Sequence, residues 1–306
     1  MNSIVKISAL LLGGACISSG AWAALPQECT NWQQNHAQWL WCDDFEADSS
    51  LEQNYYDVNR MGGHFGVSAD AAYAGSHALK NGYQKGVESA GWLKFSFGKT
   101  PVSPKRYLDK KFDDVYWRFY VKTSANWSGP AMKLTRATVF SSSKWAQAAI
   151  GHVWEDGKLG LGLDPVSGVS GSTVITTGWN DFAHMKWLGE ATNSVQIYAP
   201  ENRDKWFCVE AHMKLNTPNK SDGVYELWIN DQVQGTKSTL NFRGGYTDYG
   251  INTIMLEGWF NGGAKQNQER YFDNFVVSTA KIGCYNPTAT TTSSPPAAPN
   301  LSVKPQ

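Results

Sequence analysis

The sequence carries no excess of charge of either sign, because 27 Lys and Arg residues are matched by 27 Asp and Glu residues. Charged residues make up only 18% of the chain, below the roughly 25% of an average globular protein. A protein that binds nucleic acid through the phosphates needs a basic surface, so we expect no nucleic-acid partner. The apolar content of 42% is ample for a packed core, which excludes a disordered chain.

Long hydrophobic runs are also missing. The most apolar stretch, residues 7–17, is too short to span a bilayer; it follows Lys6 and precedes the small-residue motif Ala21-Trp22-Ala23. This arrangement is typical of a secretory signal peptide. We therefore expect residues 1–23 to be removed near Ala23, and the mature protein to be secreted, extracellular or periplasmic, without a membrane partner.

The sequence has no C-x-x-C or H-x-x-x-H spacing, which argues against a zinc site. Once Cys16 has left with the signal peptide, four cysteines remain, an even number that suits disulfides in an oxidising compartment. Four cysteines allow three pairings. We favour the bridges Cys29–Cys42 and Cys208–Cys284.

Amphipathic helices of three turns are absent, whereas segments in which apolar and polar residues alternate are frequent. Strands separated by Gly- and Asn-rich turns, without crossover helices, predict an all-β fold of two antiparallel sheets, a sandwich or jelly roll. We place this β domain at residues 24–285. Residues 286–306 are rich in Pro, Thr and Ser and are typical of a disordered tail.

One predicted strand, residues 115–122, has an apolar face and an opposite face with Tyr116, Arg118, Tyr120 and Lys122. If the sheet curves, these outward aromatic and cationic side chains line a concave groove that suits a linear polymer. An ordinary solvated face is the alternative interpretation.

Several short motifs occur in a fixed order: Asp43-Asp-Phe-Glu46, Gly75-Ser-His-Ala-Leu79, Tyr116-Trp-Arg-Phe-Tyr-Val121, Met132-Lys-Leu-Thr-Arg136, Asp222-Gly-Val-Tyr-Glu-Leu-Trp228, Trp259-Phe-Asn-Gly-Gly263 and Tyr271-Phe-Asp-Asn-Phe-Val-Val277. This order resembles that of the concanavalin A-like jelly rolls of secreted polysaccharide lyases. The chain is most similar to the group of glucuronan lyases, alginate-lyase-like enzymes and their fungal cellulose-induced relatives. The motifs are those of strands and turns, so they point to the fold more firmly than to the activity.

The resemblance implies β-elimination on a uronic-acid polymer. Such a reaction needs a group that neutralises the carboxylate at C5, a base for the neighbouring proton and an acid for the leaving oxygen. On this basis we expect Lys133, Arg118, His152 and Tyr116 to be catalytic, with Tyr120 as an alternative proton donor. The expected substrate-binding residues are Tyr120, Trp154, Glu257, Trp259 and Asn261. A surface ion pair is the structural alternative for Lys133 and Arg118, and a hydrogen-bonded structural residue is the alternative for His152.

Two other functions compete with a lyase. Retaining glucanases of this fold carry Glu-x-Asp-x-x-Glu on one strand, and that motif is absent. A non-catalytic, lectin-like jelly roll would need only aromatic and amide side chains, which the 14 tryptophans could supply. In each case we expect a monomer with a polysaccharide as its partner and no organic cofactor.

The resemblance also implies a structural calcium ion. In the related jelly rolls an acidic residue of the first strand, oxygens of a following Gly-Ser turn and an Asp of the last strand share a hard cation. The matching positions are Glu46, Ser76 and Asp273, and their oxygens are of the type that calcium prefers. The alternative is a turn-capping Asp and a Glu paired with a lysine.

Overall fold

The structure, a computed structural model, describes residues 27–47, 51–103, 106–129, 133–191 and 194–287. The predicted signal peptide and all but the first two residues of the predicted tail lie outside the described residues. Helices are short, with α1 at Trp32–Asn35, α2 at Leu51–Asn54 and 3-10 turns at Met61–Gly63, Phe182–His184 and Pro200–Asn202. Within the described ranges, no helix has the length and apolarity needed to cross a membrane.

Strands make up most of the regular structure. They are β1 (Trp39–Asp43), β2 (Asp57–Asn59), β3 (Phe65–Ser68), β4 (Ala78–Tyr83), β5 (Ser89–Ser96), β6 (Asp114–Thr123), β7 (Lys133–Phe140), β8 (Gln147–Glu155), β9 (Leu161–Ser167), β10 (Val169–Ser170), β11 (Thr173–Val174), β12 (Lys186–Trp187), β13 (Phe207–Lys214), β14 (Gly223–Ile229), β15 (Gln232–Leu240), β16 (Thr253–Trp259) and β17 (Gln268–Ser278).

The strands form two large sheets. The eight-stranded back sheet has the order β15-β14-β13-β6-β17-β4-β3, and β1 pairs with β17 beside β4. The seven-stranded front sheet has the order β12-β9-β8-β7-β16-β5-β2. Pairing is antiparallel in both sheets, as between β6 and β17 in the back sheet and between β7 and β16 in the front sheet. The predicted all-β jelly-roll sandwich is confirmed.

The core lies between the two sheets and follows the alternation of the sequence. On β6 the predicted apolar face, Val115, Trp117, Phe119 and Val121, is at most 1% exposed. Burying one large apolar side chain in this way contributes about 1.5–3 kcal/mol. The indole Nε1 of Trp117 also donates a hydrogen bond of 3.0 Å to Oγ1 of Thr135 in the front sheet, so β6 fixes the position of β7.

The opposite face of β6 does not line a groove, which corrects the sequence interpretation. Arg118 is fully buried; it donates a hydrogen bond of 2.8 Å to the Asn274 carbonyl and pairs with Glu28. The Tyr120 hydroxyl donates to the carbonyl of Tyr285 at 2.5 Å. The physical reason is that segments near both chain ends cover this face, and their backbone and carboxylate oxygens bind its cations and hydroxyls.

Two disulfides fasten these covering segments. Cys29–Cys42 ties the N-terminal segment to β1, and Cys208–Cys284 ties the C-terminal segment to β13. The favoured pairing, one of three, is therefore confirmed.

Removing either disulfide should lower the free energy of unfolding, by about 2–5 kcal/mol for a domain of this kind. Cys208–Cys284 closes a loop of 76 residues and Cys29–Cys42 a loop of 13. The chain-entropy model therefore makes loss of Cys208–Cys284 the more costly by about 1.5 kcal/mol. Urea unfolding of the two double-alanine variants measures the difference. An equal loss in both would show that loop length does not set the contribution of these bridges.

Glu46 and Asp273 each accept hydrogen bonds from N–H groups. The Glu46 carboxylate accepts from the backbone N–H groups of Ser76 at 2.9 Å and His77 at 3.1 Å, and from the Ser76 hydroxyl at 2.7 Å. The Asp273 carboxylate accepts from the N–H of Tyr73 at 2.7 Å, with two further N–H donors from Ala74 and Asn274. Burial raises the pKa of Asp273 to about 8, although these donors work in the other direction.

In this structure the oxygens of both carboxylates therefore accept hydrogen bonds from the protein itself. Among the described residues, no group of three or more His, Cys, Asp and Glu side chains could hold a metal ion. The calcium site stays a prediction that chelation tests.

Asp273→Asn should lower the free energy of unfolding by about 1–3 kcal/mol, because one amide oxygen cannot accept the three N–H hydrogen bonds and its NH₂ group faces donors. Thermal melting with and without EDTA measures this, with Asp204→Asn as the matched control at an exposed carboxylate. The same loss in both buffers would exclude a calcium ion at this position. A melting temperature that falls with EDTA and returns with calcium, but not with magnesium, would instead establish the metal site.

Candidate active site

A pocket lies on the outer face of the front sheet, above β5, β7 and β16. Its volume of about 430 Å³ falls within the range of roughly 300–1,000 Å³ that is usual for small-ligand sites. Tryptophans and cations dominate its lining: Trp92, Lys94, Lys133, Arg136, Trp145, Trp179, Asn180, Met255, Glu257 and Trp259. Flat indole rings beside charged groups suit a ligand that has apolar ring faces and an anionic substituent.

A β-bulge brings two of the cations to the same face. Lys133 and Arg136 are three positions apart, so a regular strand would direct them to opposite sides. Lys133 is paired with Trp154, but Thr135 is paired with Val153, which places an extra residue in β7 at this point. Leu134 and Thr135 therefore both turn inwards, and Lys133 and Arg136 both line the pocket.

Arg136 and Glu257, which both line the pocket, form a buried, bidentate ion pair. The Arg136 Nε and Nη2 atoms lie 2.9 and 2.6 Å from the two Glu257 carboxylate oxygens. Burial by itself would raise the pKa of Glu257, but the Arg136 guanidinium outweighs it and lowers that pKa. The third guanidinium nitrogen of Arg136, Nη1, donates a hydrogen bond of 2.8 Å to Oδ1 of Asn180 and so holds this amide at the pocket wall.

A second arginine supports the pocket floor from below. Arg270 is a fully buried residue of β17 in the back sheet, and its guanidinium reaches the front sheet between the two layers. It donates hydrogen bonds to the carbonyl of Lys133 at 3.2 Å and to the carbonyl of Glu257. Both carbonyls lie where the strand pairing is irregular, so Arg270 satisfies backbone groups that the bulges leave without a ladder partner.

Lys94 fills the end of the pocket nearest β2. Its side chain is 1% exposed, it pairs with Asp57, and Nζ lies 4.2 and 4.4 Å from the ring centres of Trp145 and Trp179. Trp92 donates a hydrogen bond of 2.8 Å to the same Asp57 carboxylate. The charge of Lys94 is therefore already compensated.

Lys133 is the pocket cation that pairs with no carboxylate among the described residues. It is half-buried, and its Nζ lies 5.0 Å from the ring centre of Trp259 and 5.4 Å from that of Trp154. Burial lowers the pKa of Lys133 below its ordinary value; nearby Glu257 opposes this shift and Arg136 adds to it. A lysine in such surroundings releases its proton more readily and can act as a base.

His152 faces the same side of the front sheet but does not reach the pocket. It is fully buried, with its ring centre 3.9 Å from that of Trp154 and 5.9 Å from that of Trp187. Its Nδ1 lies 3.1 Å from the Asp164 carbonyl and donates to it, and burial lowers the pKa of His152 well below its usual value. The structure thus gives His152 the surroundings of a neutral, structural histidine.

The structure brings together three of the residues predicted for the site: Lys133, Glu257 and Trp259 line the pocket. Trp154 borders Lys133. Asn261 is exposed in the turn after β16 and does not line the pocket.

The three predicted groups on β6 lie in the other sheet, away from the pocket. Arg118 and Tyr120 are buried under the terminal segments, and Tyr116 stacks on His212 at 3.9 Å between ring centres. The alternation along β6 correctly separated its two faces. It could not show that the outer one is covered, nor that Lys133 and His152 belong to the opposite sheet.

Sequence reasoning missed Lys94, Arg136 and Asn180. In residues 92–96, Trp-Leu-Lys-Phe-Ser, the apolar residues Leu93 and Phe95 belong to the core between the sheets. The alternation could therefore have assigned Lys94 to the outer face of the sheet. Asn180 lies in a loop, for which alternation offers no signal.

The model of the family polysaccharide lyase 14 matches residues 198–275, which run from the segment before β13 into β17. A comparison with curated proteins finds no match.

Several solved structures share the fold. The marine alginate lyase from Aplysia kurodai has a TM-score of 0.53 at 15% identity, with 79% of this chain and 99% of that structure covered. The alginate lyase vAL-1 from Chlorella virus has a TM-score of 0.55 at 13% identity, covering 78% and 99%. The endo-β-1,4-glucuronan lyase from Trichoderma reesei has a TM-score of 0.54 at 11% identity, covering 79% and 96%. The family match and these neighbours confirm the resemblance to the jelly-roll polysaccharide lyases that the sequence indicated.

Proposed function

We propose that the protein is a polysaccharide lyase that cleaves a uronic-acid polymer by β-elimination in the front-sheet pocket. The observation that carries the proposal is the surroundings of Lys133, a half-buried lysine with a lowered pKa, no carboxylate partner among the described residues, and tryptophans on two sides. The family match and the lyase structures that share the fold support it.

In this mechanism Lys133 is the base. The proton at C5 of the uronate becomes acidic only when the negative charge that develops on the adjacent carboxylate is stabilised. Neutral Lys133 removes this proton with its Nζ lone pair. The burial that lowers its pKa makes the neutral form accessible nearer to neutral pH.

Asn180 is the amide that stabilises the substrate carboxylate. Its Oδ1 is occupied by the hydrogen bond from Arg136, so the Nδ2 hydrogens are the part of this side chain left to bind a ligand. Because Arg136 is itself held by Glu257, the amide is fixed before substrate binds, which is what stabilisation of a developing charge requires.

The elimination balances with Lys133 alone. The C5–H bond breaks and its proton goes to Nζ; the electron pair forms the C4=C5 double bond; and the C4–O bond breaks towards the leaving sugar. The ammonium formed on Lys133 then returns its proton to the leaving oxygen. Among the described residues that line the pocket, Lys133 is the titratable group that forms no ion pair, which supports one residue in both roles.

A carbohydrate-binding protein without activity is the second candidate, because four tryptophans line the pocket. It shares the need for Trp92 and Trp259 but not for a proton-accepting lysine. We further propose that the protein acts outside the cytoplasm, which the two disulfides support.

Lys133→Ala and Lys133→Arg should both lose the unsaturated product, with a fall in kcat of at least about 10²–10⁴-fold, because arginine keeps the charge but cannot accept a proton. Ultraviolet absorbance of the conjugated double bond, followed on a panel of polyuronates, measures turnover. Lys220→Ala is the matched control at an exposed lysine. Full turnover in Lys133→Arg would contradict the assignment of the base.

The rate should rise with pH, because the base must be deprotonated before substrate binds. Since the pKa of Lys133 lies below the ordinary 10.5, kcat/KM should level off before that pH is reached. A kcat/KM profile on the preferred polyuronate measures the midpoint. A profile that falls as pH rises through this range would exclude Lys133 as the base.

A further inference from the structure

Residues 176–187, here called the strap, pass over β8 of the front sheet and end in β12, the edge strand of the same sheet. The strap is fastened at its start, where the backbone N–H of Gln147 donates to Oγ1 of Thr176 at 2.8 Å and that hydroxyl donates back to the Gln147 carbonyl at 2.9 Å. It is fastened again where the N–H of Asn180 donates to Oε1 of Gln147 at 2.8 Å. These bonds to β8 make the strap a fixed part of the sheet.

The strap covers the part of the front sheet formed by β8 and β9. Phe182 and Trp187 of the strap lie 6.2 and 5.9 Å from the ring centre of His152, which is fully buried beneath them. A polymer that crossed the whole width of the sheet would have to occupy this volume.

The strap also forms a wall of the pocket. Trp179 packs against Trp145 at 5.8 Å and against Phe140 at 6.0 Å between ring centres, and its indole lies 4.5 Å from the Arg136 guanidinium carbon. Trp145 and Trp179 therefore close the pocket beside Lys94 and Arg136.

The charges of the pocket suit a single uronate unit. Of the three cations in its lining, Lys94 is paired with Asp57 and Arg136 with Glu257. This leaves Lys133, the proposed base, as the one of the three that forms no ion pair with a described residue, and it leaves the Asn180 amide as the group that binds a substrate carboxylate. A groove that held several successive uronates would need a row of unpaired cations to offset their mutual repulsion.

From the strap, the tryptophan wall and this single carboxylate-binding amide we infer that the pocket takes one end of a polyuronate chain, so that cleavage proceeds from a chain end rather than at internal bonds. This inference rests on the proposed lyase function, and it specifies how the polymer enters the site.

Product size and viscosity test the inference directly on the full mature protein. Elimination from a chain end should release the smallest unsaturated sugars from the first time points, while the viscosity of the polymer solution falls slowly relative to the rise in ultraviolet absorbance. A ladder of unsaturated oligosaccharides with a rapid fall in viscosity would overturn the inference and leave the lyase proposal intact.

Binding stoichiometry gives a test that does not depend on turnover. With Lys133→Arg, calorimetric titration of size-fractionated polyuronate should give one bound protein per chain at every chain length. A bound number that grows with chain length would overturn end-on binding. If the wild-type protein neither turns over nor binds any polyuronate, the proposed function fails and this inference fails with it.

Opening the wall should change the products. Trp179→Ala removes the indole that closes the pocket, so we expect longer unsaturated products and a faster fall in viscosity per bond cleaved. Trp206→Ala, a half-buried tryptophan beside Lys122 and Tyr73 of the back-sheet side, is the matched control and should leave product size unchanged. An unchanged product pattern in a folded Trp179→Ala variant would show that this wall does not limit the chain.

Discussion

The buried ion pair between Arg136 and Glu257 is the constraint on which the pocket depends. Burying two charges costs several kcal/mol each in lost hydration, and an apolar pair of similar volume would often be as stable, so the pair is weak evidence for a purely structural role. The geometry of the Arg136–Glu257 pair indicates a different role, that of positioning the pocket residues. One guanidinium binds both oxygens of Glu257 and the amide oxygen of Asn180, so a single side chain fixes the floor and the wall of the pocket together.

The back sheet contributes to the same site through Arg270. The bulge in β7 that brings Lys133 and Arg136 to one face also interrupts the hydrogen-bond ladder, and unsatisfied carbonyls in a dry interior would cost about 1–3 kcal/mol each. The guanidinium of Arg270 binds the carbonyls of Lys133 and Glu257 and offsets that cost. The two layers of the sandwich are therefore coupled at the residues on which the proposed chemistry rests.

Features that follow from the regular alternation of apolar and polar residues along a strand could be predicted from the sequence. Features that depend on a bulge or on the packing of distant segments could not. Alternation identified the buried face of β6, and the even number of cysteines indicated two disulfides, of which the favoured pairing is the one that forms. Alternation could not find the pair Lys133 and Arg136, because a bulge reverses which positions share a face. It also could not reveal that Arg118 is covered, because that depends on where distant segments such as the one with Glu28 pack.

Closure of the pocket and activation of its lysine have a common physical origin. Phe182 and Trp187 of the strap lie 6.4 and 6.1 Å from the ring centre of Trp154 and pack behind it, and Trp154 in turn borders Lys133. A fully open cleft would leave this ammonium hydrated and its pKa near the ordinary value, whereas partial burial against indole rings disfavours the charged form. The same layer of aromatic side chains that limits how a polymer can enter thus provides the dry surroundings that a lysine base requires.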